Sequence, residues 1–161
     1  MNRREWERAV TNPVIPDGRR AEILLVEDNI GDELLALRAF KSSKIEHNFS
    51  VAGTAEEAWS MLKRLGEHAE RPLPDIILLD LNLPKMSGKT FLQLIKEDPD
   101  LQHIPVIVMT SSEALIDVKR CHDLQASAYI VKPMDMDAFK EVVATIEQIY
   151  LAPASPASPP G

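Results

Sequence analysis

The chain has 161 residues, room for one domain, and carries 18 Lys and Arg against 25 Asp and Glu, a net charge of −7. Five arginines and three of the acids fall in the first 20 residues, so the rest is more acidic still, and a nucleic-acid backbone or an anionic membrane would be repelled. A single cysteine, Cys121, excludes an internal disulfide, no apolar run approaches the roughly 18 residues of a membrane span, and "MNRREWERAV" lacks the apolar stretch of a signal peptide, so a cytosolic protein is expected.

Residues 1–20 close in "NPVIPDGRR" and read as a loose arm. "EILLV" (22–26) is a short apolar run. "GDELLALRAFK" (31–41) follows with Leu34, Leu37 and Phe40 at helical spacing. "HNFSVAG" (47–53) reads as a strand. "TAEEAWSMLKRLG" (54–66) opens on Thr54 and Glu57 as a capping box and is expected to end at Gly66, with Ala58, Trp59, Leu62 and Leu65 inward. "DIILL" (75–79) is a buried run. "SGKTFLQLIKEDP" (87–99) is helical up to Pro99, with Phe91, Leu92 and Ile95 inward. "PVIVM" (105–109) predicts a strand, "SEALIDVKRCHDL" (112–124) a helix and "SAYIV" (127–131) a strand. "DMDAFKEVVATIEQIY" (135–150) predicts a helix with Phe139, Val142, Val143, Ile146 and Ile149 on one face. Met134 and Met136 read as core or edge. Residues 151–161, ending in "APASPASPPG", predict a disordered tail. The folded domain is thus 21–150. Five continuously apolar strands alternating with five helices predict an α/β fold, a parallel sheet covered on both faces.

In such a sheet the strand ends share one edge, and ligands bind there. The first strand ends in Glu27 and Asp28, and the third in Asp80, with Asn82 two residues on. The fourth ends in Thr110 and Ser111, and the fifth is followed by Lys132 and Pro133. Three carboxylates at one edge repel one another and call for a cation. Donors that are all oxygen point to Mg²⁺, whereas His47, His68, His103 and His122 are too scattered for zinc. Taken singly, an Asp after a strand is ordinarily a helix cap, a Thr a turn residue and a Lys solvated. Four strand ends carrying complementary chemistry make that bland reading poor.

"LLVEDN", "PDIILLDLNLP", "VIVMTSS" and "AYIVKP" resemble the receiver domains of two-component response regulators, in the family's order and across 21–150. The resemblance implies a doubly wound, flavodoxin-like sheet of strand order 2-1-3-4-5. It implies Asp80 as phosphoryl acceptor from a phosphohistidine of a sensor histidine kinase. Asp28, Asp80 and the Asn82 carbonyl would bind Mg²⁺, with Glu27 acting through a metal-bound water. Thr110 and Lys132 would pair with phosphoryl oxygens, Ser111 would leave room for the group to enter, and Thr110 with Tyr129 would form the switch. The Lys132–Pro133 bond is cis in the family.

Two other classes fit the residues less well. An aspartyl-phosphate phosphatase wants an acid two residues after its nucleophile, where Asn82 stands and cannot transfer protons. A receiver-like binding module that is never phosphorylated would be expected to have lost an acid, the Thr or the Lys. "SGKT" (87–90) lacks the earlier glycine of a nucleotide-binding loop, since Leu83 stands there. Only eleven residues follow the last helix, which suggests a stand-alone receiver signalling through protein–protein contact. "VEDNIGDELL", "DLNLPK", "IKEDPDLQHIPV" and "IEQIYL" further resemble stand-alone regulators paired with phytochrome-type kinases. That implies a bacteriophytochrome kinase as partner and a homodimer through the fourth helix, fifth strand and fifth helix, with Ile116, Cys121, Tyr129, Phe139, Val143 and Tyr150 on its face.

Overall fold

The computed structural model describes residues 19–81, 83, 86–110 and 126–151. Its strands are β1 (Ala21–Val26), β2 (His47–Ala52), β3 (Ile76–Asp80), β4 (Val106–Thr110) and β5 (Ala128–Val131). Its helices are α1 (Ile30–Phe40), α2 (Ala55–Leu62), α3 (Gly88–Glu97) and α4 (Met136–Tyr150). The strands form one parallel sheet in the order β2-β1-β3-β4-β5, the doubly wound order expected. The helix expected at 112–124 lies outside the described residues, as do the arm up to residue 18 and the tail from 152.

The apolar strands are buried on both faces because successive side chains point to opposite sides. Ile23, Leu25, Ile76, Leu78, Ile107 and Met109 pack with Ala36, Ala39 and Phe40 of α1 and with Phe139, Val143 and Ile146 of α4. Leu24, Val26, Ile77, Leu79, Val106 and Val108 pack with Ala58 and Leu62 of α2 and with Phe91 and Ile95 of α3. Each fully buried Leu, Ile or Phe contributes about 1.5–3 kcal/mol relative to exposure.

Local chemistry sets the helix ends. Asn29, Thr54, Ser87 and Asp135 are N-caps, each accepting a backbone N–H from the first turn. Asp98 is extended, as a residue before proline prefers, and α3 stops at Glu97. The helix α2 ends at Leu62, four residues short of Gly66. Arg64 takes the left-handed turn at φ 57°, held by Arg64 N–H to the Met61 carbonyl (3.2 Å) and Leu65 N–H to the Ser60 carbonyl (3.0 Å). Leu65, expected inward, is therefore exposed.

Four further expectations need correction. Leu34 is exposed, because α1 approaches the sheet through Ala36 and Ala39. Met134 is exposed as well, while Met136 packs on the core. Phe139, Val143 and Tyr150, offered above for a dimer face, are buried core residues and cannot form one. Tyr129 is half-buried against the α2/α3 core, and Ile116 and Cys121 lie outside the described residues. The Lys132–Pro133 bond is trans rather than cis. Trans is the lower-energy isomer of an X-Pro bond, and Lys132 reaches the site from it.

Candidate functional site

Strand register assembles the site. Val26 pairs with Leu79, so the next residues, Glu27 and Asp80, are level. Asp80 pairs with Met109, and Thr110 pairs with Val131, which puts Lys132 just past the same edge. Counting in twos, Glu27 follows Leu25, Asp80 follows Leu78 and Lys132 follows Ile130. All three fall on the α1/α4 side of the sheet.

The Lys132 ammonium sits at the centre. It donates to Asp80 Oδ2 at 3.0 Å and is ion-paired with Glu27 Oε1 at 2.9 Å and Asp32 Oδ2 at 2.7 Å. Glu27 and Asp80 are the buried charged residues among those described. Glu27 Oε2 accepts the Asn29 N–H at 3.2 Å. Burial pushes the Glu27 carboxyl up to about 7; the bond from Lys132 opposes this, and the Asp80 charge adds to it. Burial alone would lower the Lys132 pKa, but its bonds to Asp32, Glu27 and Asp80 prevail and raise it, so the ammonium stays charged. Glu27, Asp28 and Asp80 each offer an oxygen within 4.8 Å of the others.

A buried Asp at a strand end, two more acids beside it and a lysine from the last strand thus stand together at this edge, and comparison with known proteins identifies the family. The family model "Response regulator receiver domain" matches residues 23–144. The chain belongs to the response regulator receiver family. It is 38% identical over 129 residues to the response regulator Rcp1 of Synechocystis sp., covering 80% of this chain and 88% of that protein. The phosphorylated cyanobacterial phytochrome response regulator RcpA superposes with a TM-score of 0.77 at 37% identity, over 82% of this chain and 94% of that one. The Mn²⁺-bound form of Rcp1 does so with 0.75 at 37%, over 85% and 99%.

The receiver's acidic cluster fits a hard divalent cation, since every donor is a carboxylate oxygen and the three converge. Among the described residues it is the one such group of acids, His or Cys. Of the residues expected at the site, Glu27, Asp28, Asp80 and Lys132 come together. Asn82 and Ser111 lie outside the described residues, as does the Thr110 hydroxyl; the Thr110 backbone closes β4 at the site edge. No helix among the described residues is long and apolar enough to cross a membrane.

Two residues near the site escaped the sequence reading. Asp32 binds Lys132, yet an acid in the first turn of a helix is ordinarily there for the helix dipole. Gly88, read only as a helix start, lies under Asp80: a Cβ there would come 2.8 Å from the Asp80 carbonyl oxygen and 2.7 Å from the Leu81 Cα.

Proposed function

We propose that this receiver accepts a phosphoryl group on Asp80 from a phosphohistidine of a histidine kinase, and that the kinase is of the phytochrome type. What carries the reading is the buried Asp80 carboxylate, held at 3.0 Å by Lys132 beside two further acids. An Asp80 oxygen attacks phosphorus, the P–N bond breaks, and the imidazole leaves with the electron pair; an acyl phosphate remains. Mg²⁺ held by Asp28 and Asp80, with Glu27 nearby and the Asn82 carbonyl, would supply positive charge for the phosphoryl oxygens. Lys132 supplies the chain's own positive charge, and Thr110 is the hydroxyl for another oxygen. Asn82 offers no general acid or base, which favours a persisting phosphoprotein over a phosphatase. Movement of Thr110 toward the phosphoryl group would be relayed through Tyr129 to a partner-binding surface. The phytochrome pairing draws on the relatives RcpA and Rcp1.

The test is incubation with acetyl phosphate and Mg²⁺, read by intact mass. One added phosphoryl group is expected on the wild-type protein and none on Asp80→Asn. Labelling of Asp80→Asn at wild-type stoichiometry would refute the assignment. Transfer from a phosphorylated red-light-sensing kinase tests the pairing.

A further inference from the structure

An ammonium has three N–H donors. Lys132 meets three carboxylate oxygens, on Glu27 at 2.9 Å, Asp32 at 2.7 Å and Asp80 at 3.0 Å. Three carboxylates therefore share its charge. A phosphoryl group on Asp80 turns that carboxylate into an acyl phosphate and brings oxygens that need the same ammonium, so Lys132 has to turn toward them against the pull of its other partners. The side chains of Glu27 and Asp80 are 1% and 4% exposed, while that of Asp32 is 39% exposed. Once phosphorylated, Asp80 no longer presents a free carboxylate, and releasing Glu27 would leave a buried acid without its partner, whereas Asp32 can be rehydrated where it stands. Its backbone need not move, because the Asp32 N–H is held at 2.9 Å by the Asn29 side chain that caps α1.

We propose that Asp32 is a positioning residue that holds the Lys132 ammonium in the unphosphorylated protein and yields it to the phosphoryl group. The strength of that hold sets how readily the phosphorylated arrangement forms. The proposal rests on the reading of Asp80 as acceptor. No bond is made or broken at Asp32; an ion pair is exchanged for a hydrated carboxylate and a lysine–phosphoryl pair.

The experiment uses the full chain and beryllofluoride, an anion that stands in for the phosphoryl group on a carboxylate. Beryllofluoride is titrated at fixed Mg²⁺ and followed by amide signals of β5 in the wild type, Asp32→Asn and Asp32→Glu. Asp32→Asn is expected to bind about two- to five-fold more tightly, the worth of a partly exposed ion pair, and the gain should shrink in high salt. Asp32→Glu, which keeps the competing charge, should stay near the wild type. Mg²⁺ affinity and thermal midpoint are measured separately without beryllofluoride. A merely structural role would lower the midpoint of Asp32→Asn and weaken its binding. Unchanged or weaker beryllofluoride binding by Asp32→Asn, with the wild type binding normally, overturns the proposal alone. A folded wild type that binds no beryllofluoride, or an Asp80→Asn that binds it, overturns the acceptor reading and the proposal with it.

Discussion

Glu27 shows what the site costs the fold. Its carboxyl is raised from an ordinary value of 4.5 to about 7, chiefly by burial. Between those values the folded state holds a proton that the unfolded state has lost. The stability this group contributes is full below pH 4.5 and is lost as pH rises through about 7. The metal-free protein should thus lose stability between pH 5.5 and 8, by no more than about 3 kcal/mol from this source. Glu27→Gln should flatten that slope and be the more stable protein at pH 8. Urea unfolding of both proteins in chelator at the two pH values checks this, and equal slopes would contradict it. Glu27 was legible in the sequence because Asp28, Asp80 and Lys132 stand at matching strand ends beside it, a combination that helix capping does not explain. Asp32 was not, because a first-turn acid has an ordinary one, and only the 2.7 Å contact to Lys132 separates the two roles.

The strands were more legible than the helix faces. A continuous apolar run such as "IILL" can only be buried on both sides, and β3 is buried throughout. Helix α1 offers Leu and Ala at competing phases; the Ala face won because small side chains let the helix approach the sheet, and Leu34 was turned out. Helix α3 had no such competition, and Phe91, Leu92 and Ile95 are buried as read. Its first residue, Gly88, ties the helix to the site, with its N–H bonded to the Leu81 carbonyl at 3.3 Å. Gly88→Ala would drive a Cβ into backbone at Asp80 and Leu81, which no side-chain rotation can relieve. It should cost about 1–3 kcal/mol of stability and weaken Mg²⁺ binding by displacing the Asp80 carboxylate. Unfolding and Mg²⁺ titration of the variant check the two effects, and a variant with unchanged Mg²⁺ affinity would deny the coupling between the helix and the Asp80 carboxylate.

On the function proposed above, the donor is a phosphohistidine carried on a protein, which would cover the edge of the sheet where Asp80 lies. That edge has an apolar rim. Ile30, at the start of α1, is 71% exposed, and Met134, two residues beyond Lys132, is 86% exposed. Leu34 stands one turn along α1 from Ile30, and the Asp32–Lys132 ion pair ties the α1 segment to the segment after β5. Exposed apolar side chains grouped around a reacting group suit a partner that docks there, and covering two of them is worth a few kcal/mol at most. Small phosphodonors need no such contact. Replacing Ile30 and Met134 together by Ser should therefore cut phosphotransfer from the kinase by about ten-fold or more, corresponding to ~1.4 kcal/mol. Labelling by acetyl phosphate should stay within about two-fold, because both side chains face solvent and substitutions of this kind change stability little. Rates for both donors on the same preparation decide the matter. Equal losses for kinase and acetyl phosphate would place the defect in the site itself, and undiminished kinase transfer would mean that the donor docks on a different face of the receiver.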